Sequence, residues 1–468
     1  MNNPHLLAPD DLSEPLTYPV EAFISREYAE AEPDRLWSKV WQQAGRVEEL
    51  KQVGDYITYN ICHDSILIVR DTPDSLKAFH NVCPHRGRRL MGNNTGGGPK
   101  TVAQDTGAHS ARGSQLKFGC NYHAWTFGLD GAATYIPDEE DWQGALHAGC
   151  TSLTPVQVDT WGGWIWINMD LDAGPLREWL EPIASLIDPF EFEKMRYRFR
   201  FWGLFDCNWK VALEAFLEPY HVQGTHPQLI RYGDFYSFSK AFGLHGQTGF
   251  DSKAHRDSGT AVETSVHRAA GEGDPRTTIA QMQAEYWETI GASTSETLVR
   301  TAQRLPLELP EGTPAAEVHA YWMKIAKEED AARGVIWPDL SDAQVAAAGL
   351  GLSIFPNVNF IPGPTFSLAY RVRPWGTDPD KCIFEAVALD RFGEGDEPET
   401  EWTYLEQDLD AWPLVIAQDI SNMVEVHRGY KSRGFKGNLP NPWQERKVTG
   451  LHRGLAIYMG TGAPRPLR

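Results

Sequence analysis

Cys83-Pro84-His85 and Cys120-Asn121-Tyr122-His123 place two thiols and two imidazoles in two short loops. Soft thiolates and imidazoles together suit an iron–sulfur centre or zinc. Structural zinc sites usually offer Cys paired with Cys and His paired with His. Here each loop offers one of each kind. That arrangement matches a two-iron cluster in which the two Cys hold one iron and the two His hold the other. The loops must then approach each other like two fingers.

A second constellation runs Asn208-Trp209-Lys210, Glu214, Glu218-Pro219-Tyr220-His221 and His226-Pro227. Two His and one carboxylate on one face, with open positions opposite, form the ligand set of non-haem Fe(II) oxygenases. On a regular helix, residues five apart are rotated by about 500°, which splays them. His221 and His226 converge only if the helix ends or distorts between them, and Gly224 and Pro227 supply the means. The third ligand must come from elsewhere. Leu409, Trp412, Ile416, Ile420 and Met423 form an apolar stripe, and Asp419 falls on it. A carboxylate on a buried face needs a partner, and a metal is one. Glu406, Asp408, Asp410 and Glu425 are rivals. His63, His80, His109, His147, His427 and His452 read as surface or satisfied core residues.

Cys-Pro-His-Arg-Gly (83–87) and Cys-x-Tyr-His-x-Trp (120–125), with Phe127 and Gly131 following, resemble the Rieske [2Fe–2S] domain of the ring-hydroxylating oxygenases. The resemblance covers most of 37–225 and 350–430. It implies a cluster held by Cys83, His85, Cys120 and His123, and a mononuclear Fe(II) held by His221, His226 and Asp419. Asp419-x-x-Asn422-Met423 is similar to the family's third-ligand region. The resemblance further implies a head-to-tail trimer, α3 or α3β3, in which the cluster of one subunit faces the iron of the next. In it a carboxylate bridges a cluster His and an iron His. Here that residue is Glu218, where the family usually has Asp; Glu is seen in the branch acting on quaternary ammonium compounds. A second departure is the 34 residues between His85 and Cys120, longer than the family's usual spacing.

The elements that must position these residues are partly legible. The alternation YITYNICHDSILIV reads as two strands around a turn at His63-Asp64. Gly92–Ser114 is polar and Gly-rich and reads as a long loop, which covers the cluster, meets a neighbouring subunit, shapes electron-donor docking, or is a tolerated surface insertion. TWGGWIWINMD (160–170) reads as one buried strand. Asn208–Tyr220 carries a helical stripe. Gly351–Arg373 and Lys381–Asp390 read as strands, and Glu401–Tyr430 as a long helix interrupted at Pro413. The expected class is α+β. A helical segment over 1–45 packs on the catalytic domain, an all-β Rieske domain spans 46–172, and a helix-grip (START-like) catalytic domain with an antiparallel sheet spans 173–468. A helical insertion occupies about 261–345.

A chain of 468 residues suits two to four domains. Its net charge of −20 disfavours nucleic acid and anionic membrane as partners. No apolar run is long enough to span a bilayer, and Met1 to Pro19 has no signal-peptide pattern. Six cysteines make no disulfide framework, and a cytoplasmic protein is expected. No G-x-G-x-x-G or P-loop is present, so NADH acts through a separate reductase, directly or by way of a ferredoxin.

The expected function is the terminal oxygenase of a multicomponent system. It would use O2 to hydroxylate or oxidatively dealkylate a hydrophobic, aromatic substrate, as a mono- or dioxygenase of aromatic compound catabolism. The alternative is an N-demethylase or oxygenase of a quaternary ammonium compound, with a cage built from the 17 tryptophans. An alternative of another class is a Rieske electron carrier without catalysis, and a further one is a zinc-stabilised binding protein. Phe216, Leu217, Phe235, Phe355 and Phe360 are candidate pocket liners by position.

Overall fold

The computed structural model describes residues 14–92, 111–232, 236–250, 273–407 and 409–467. Most of the loop expected at 92–114, the first part of the insertion, Phe235 and Asp408 lie outside the described residues. Two compact units divide the chain. One comprises Arg26–Trp179 and Pro374–Asp378; the other comprises Met1–Ser25, Leu180–Arg373 and Pro379–Arg468.

The first unit is built on β1 (Gln42–Arg46), β2 (Asp55–Ile61), β3 (Asp64–Thr72), β4 (Ser75–His80), β5 (Arg112–Ser114), β6 (Phe118–Gly119), β7 (Thr126–Phe127), β8 (Ala133–Tyr135), β9 (Pro155–Trp161) and β10 (Trp164–Asn168). Seven of these form a sheet in the order β1-β10-β9-β4-β3-β2-β5, and β6-β7-β8 form a second, smaller one. The β2–β3 turn falls on Cys62 and His63, since Ile61 pairs with Asp64. The run TWGGWIWINMD is a hairpin rather than one strand. Trp161 pairs with Trp164 across Gly162 and Gly163, whose φ values are 60° and 75°. A two-residue turn of this kind needs positive φ at both positions, which glycine adopts freely. Tyr56, Leu67, Phe79, Phe118, Trp125 and Phe127 pack as one core under the cluster loops.

The second unit is a large sheet with helices. Its strands are β11 (Arg196–Phe205), β12 (Ser237–Phe242), β13 (His245–Phe250), β14 (Gly351–Ile354), β15 (Val358–Pro362), β16 (Phe366–Trp375), β17 (Asp378–Asp390) and β18 (Trp402–Tyr404). Their order is β12-β13-β14-β15-β16-β17-β11-β18. The last, β18, lies parallel to β11, so the sheet is mixed where an antiparallel one is expected. Its helices include α1 (Trp209–Glu214), α2 (Val222–Thr225), α3 (Pro275–Thr289), α4 (Glu296–Ala302), α5 (Ala315–Ala332), α6 (Leu414–Tyr430) and α7 (Arg446–Met459).

Two expected helices are shorter than their apolar stripes suggest. The first stops at Glu214, and the chain then turns toward Pro219. The pattern over Glu401–Tyr430 becomes helical only after Pro413, which sits at the N-cap of α6. Proline fits a helix start but not a helix interior. Leu409 is accordingly exposed, while Trp412, Ile416, Ile420 and Met423 are buried. Trp412 packs against Phe205 and Phe384, anchoring the start of α6 on β11 and β17. The described part of the expected insertion carries helices from Pro275 onward. Helices α4 and α5 share a core of Leu298, Ala302, Val318, Trp322 and Ile325. No described helix is long and apolar enough to cross a membrane.

Candidate metal centres

The two cluster loops share one local design. The Gly87 amide donates to the Cys83 carbonyl, and the Ala124 amide donates to the Cys120 carbonyl, each at 3.0 Å. Both donors lie four residues after their Cys and have positive φ, 71° at Gly87 and 58° at Ala124. Each loop therefore turns tightly around its own thiol. Cys83 and Cys120 are buried, while His85 and His123 are half-buried. The two imidazoles meet at 4.6 Å between centroids. Trp125 stacks on His85 at 5.0 Å and fixes its plane.

The chemistry of this quartet fits a cationic cluster. Burial raises the Cys83 thiol, backbone amides oppose this, and the neighbouring Cys120 raises it further. Two thiolates so placed need metal between them. Burial, and then the charges of His85 and Arg86, lower the His123 imidazole, which favours the neutral form that ligates metal. Its Nδ1 is buried without a hydrogen-bond partner, a lone pair or proton left for another group.

The second centre forms in the catalytic unit. Asn208 caps α1, its side chain accepting from the Lys210 amide at 3.1 Å. Pro219 disfavours helical geometry at Glu218, and the chain re-enters helix only for the four residues of α2. His221 precedes that turn and His226 follows it, so the two rings escape the splay of a continuous helix. They approach to 5.3 Å between centroids. Asp419 arrives from α6 on its buried face. Its Oδ1 lies 3.5 Å from His221 Nε2 and 3.1 Å from His226 Nε2. One ligand atom from each of the three residues lies within 4.8 Å of the others. The described rivals Glu406, Asp410 and Glu425 are exposed.

Each imidazole is oriented from behind. His221 Nδ1 donates to Glu218 Oε1 at 3.0 Å, and the other carboxylate oxygen accepts from the His221 backbone amide at 3.0 Å. His226 Nδ1 donates to Gln418 Oε1 at 2.8 Å, and Gln228 Nε2 donates to that same oxygen at 2.8 Å. Both rings thus carry their proton on Nδ1 and turn the Nε2 lone pair toward Asp419. Burial by itself would lower His221; the Glu218 and Asp419 carboxylates outweigh it and raise the imidazole from 6.5 to about 9. A site that draws a proton this strongly suits a divalent cation.

Two cavities meet this triad. One, of 340 Å³, is lined by Glu214, Glu218, Glu445 and Tyr430 beside His221 and Asp419. Burial, then Glu218, push Glu445 up to about 7. The other, of 280 Å³, is walled mainly by apolar and aromatic groups, among them Phe216, Tyr286, Phe366 and Tyr370. Of the expected liners among the described residues, only Phe216 is on it. Leu217 is buried elsewhere, Phe355 stacks on Tyr458, and Phe360 packs on Phe192. Alternation along β15 explains Phe360, because Asn359 and Ile361 face the cavity and the residue between them faces away. His427 and His452 are buried core residues whose Nε2 atoms bond to Asp380 and Glu214. Gln418, Tyr286 and Tyr370 escaped sequence reading, since nothing in their spacing marks them. The helix α7 escaped too, although Val448, Leu451, Leu455 and Met459 form a stripe that could have disclosed it.

Comparison with known proteins agrees with both centres. Residues 190–461 match the ring hydroxylating alpha subunit (catalytic domain) family, and residues 40–147 match the Rieske [2Fe-2S] domain. The chain is 30% identical over 213 residues to the carnitine monooxygenase oxygenase subunit of Acinetobacter pittii, covering 45% of this chain and 53% of that protein. It is 28% identical over 214 residues to the glycine betaine monooxygenase oxygenase subunit of Pseudomonas aeruginosa, covering 46% and 45%. The matched region thus spans about half the length of these curated relatives. Its fold resembles that of a quaternary ammonium Rieske monooxygenase in complex with L-carnitine, with a TM-score of 0.61, 19% identity, and coverage of 96% of this chain and 97% of that one. The chain belongs to the ring hydroxylating alpha subunit family, and a Rieske [2Fe-2S] domain precedes its catalytic domain.

Proposed function

We propose that this chain is the oxygenase component of a Rieske oxygenase system and that its substrate is a quaternary ammonium compound. The observation that carries the oxygenase reading is the triad of His221, His226 and Asp419, converging beside a 280 Å³ apolar cavity. An electron carrier needs neither. In this reading Cys83, His85, Cys120 and His123 would hold the cluster and supply single electrons, and the triad would hold the iron that supplies O2 chemistry. Glu218 and Gln418 accept the Nδ1 protons of His221 and His226 and so aim the Nε2 atoms at the metal position. The cavity wall excludes water and holds a carbon of the substrate against the open side of the triad.

The substrate reading rests on three supports. The relatives with the matching sequence act on carnitine and glycine betaine. Glu218 stands where aromatic-ring enzymes of the family usually have Asp. Among the described residues no Lys or Arg lines the cavity, which presents the rings of Phe216, Tyr286, Phe366 and Tyr370. Ring faces attract a trimethylammonium group. The cage is therefore of Phe and Tyr, not of the tryptophans expected. Hydroxylation of a carbon next to the ammonium nitrogen inserts one oxygen atom, and two electrons and two protons convert the other to water. The hydroxylated carbon then releases an amine and leaves as a carbonyl. The electrons come from NADH through a separate reductase, in a cytoplasmic trimer.

The test is product mass. Purified protein with a surrogate reductase, NADH and O2 is offered quaternary amines, aryl ethers and aromatics. Loss of a carbon fragment from a quaternary amine is expected. Oxygenation of aromatics with no ammonium turnover overturns the substrate reading. A reducible cluster and loaded iron with no oxygenation of any substrate overturns the oxygenase reading in favour of a carrier.

A further inference from the structure

Four residues stand opposite one another on adjacent strands of the catalytic sheet. Gly246 on β13 pairs with Ser353 on β14, Ser353 with Asn359 on β15, and Asn359 with Tyr370 on β16. Directly paired residues share a face of the sheet. Tyr370, at one end of the row, feels the charge of Asp419. Gly246, at the other end, leaves a gap. A Cβ there would lie 2.4 Å from the Lys447 Cγ, so the lysine stem of α7 runs through the space glycine leaves.

Lys447 is 2% exposed. Its Nζ donates to Asn359 Oδ1 at 3.0 Å and to the Gly351 carbonyl at 3.4 Å. Among the described residues no carboxylate pairs with it. A buried ammonium with only neutral acceptors is unfavourable, and burial lowers this amine from 10.5 to about 7 despite the opposing charge of Glu218. Both acceptors belong to residues that line the 280 Å³ cavity. The amide of Asn359 has its oxygen occupied by the lysine, which leaves its NH2 as the remaining donor.

We propose that Asn359, backed by Lys447, is an anion subsite of the substrate cavity, and that the substrate is a zwitterion. Its carboxylate binds at Asn359 while its ammonium head lies among the rings near the triad. The arriving carboxylate supplies the counter-charge that the folded chain withholds from Lys447. Asn359 touches substrate; Lys447 is a positioning residue that aims the amide and carries the charge. The inference rests on the quaternary ammonium reading and narrows it from any such cation to the carboxylate-bearing class.

The test compares glycine betaine and carnitine with their neutral carboxamides, by kcat/KM and by calorimetric binding to the iron-loaded protein. The wild-type chain is expected to prefer each carboxylate by about 10- to 100-fold, the range of a charge-assisted hydrogen bond. In Lys447→Met the preference falls to about threefold or less, through KM for the carboxylates, with kcat and the carboxamides little changed. Asn359→Asp places a carboxylate against the lysine and gives the same loss without removing the amine. Cluster absorbance and iron content identify folded variants. Equal loss for carboxylate and carboxamide in the folded variants, or an unchanged preference, overturns the subsite. If the wild type oxidises ammonium compounds but ignores the carboxylate, only the subsite falls. If it binds and oxidises no ammonium compound, the parent reading falls and the subsite with it.

Discussion

Glu218 holds His221 at two points, ring and backbone, and this double contact separates orientation from charge. Glu218→Gln keeps an oxygen for the ring proton and deletes the charge. It is expected to retain the cluster and the mononuclear iron by metal analysis and to lose about 10- to 100-fold in product formation, the usual scale for such supporting partners. Near-normal turnover would remove Glu218 from the electron path. Gln418→Leu deletes the acceptor behind His226, so Fe(II) affinity should fall about 10- to 100-fold while the cluster spectrum stays unchanged. Asp419→Ala should abolish mononuclear iron outright and leave the cluster in place. The convergence of His221, His226 and Asp419, and the meeting of His85 with His123, were legible because residues that can bind metal are constrained in type and spacing. Gln418 was not, because a neutral amide beside a ligand has no signature until the fold shows what it faces.

Helix α6 carries Asp419 on a face built from Ile416, Ile420 and Met423, all at or below 1% exposure. Ile420→Ala leaves a void beside the ligand and should cost about 2–5 kcal/mol in denaturant unfolding. The sheet carries its own pH-sensitive tie. Glu385 on β17 bonds Arg371 at 2.5 Å and Arg373 at 3.0 Å. Burial would raise this carboxyl, but the two guanidiniums outweigh burial and hold it down, from 4.5 to about 2. A depressed carboxyl stabilises the fold above its unfolded value and loses that contribution as pH falls. Stability on the order of 3 kcal/mol should therefore disappear between pH 4.5 and 2, and Glu385→Gln should flatten that part of the unfolding curve. Element types were read correctly wherever local period and burial agree, as in β2 and β3. They failed where a short turn cuts a continuous apolar run, as at Gly162-Gly163, and ahead of Pro413, where the expected helical stretch holds strand β18 instead. Tyr286, Ile290 and Ser293 reach the cavity from the insertion, a tertiary placement that no local pattern encodes.

For the whole molecule, the proposed trimer makes a direct prediction about mixing. Chains carrying Cys83→Ser lack the cluster, and chains carrying Asp419→Ala lack the iron. Each alone should be inactive. Oligomers assembled from both should recover measurable turnover if electrons cross between subunits, whereas transfer within one chain leaves the mixture silent. The division into a cluster half and an iron half was visible from motif order, but the substrate was not, because its cavity is assembled from strands, α3 and α6 far apart in the chain. That same dispersion has a consequence for biosynthesis. The four proposed cluster ligands have all emerged by residue 123, whereas the iron triad stays open until residue 419. At ribosomal rates of 5–20 residues per second, roughly 15–60 s separate the two events. The nascent chain can thus acquire its electron-transfer centre before any centre exists that could activate oxygen.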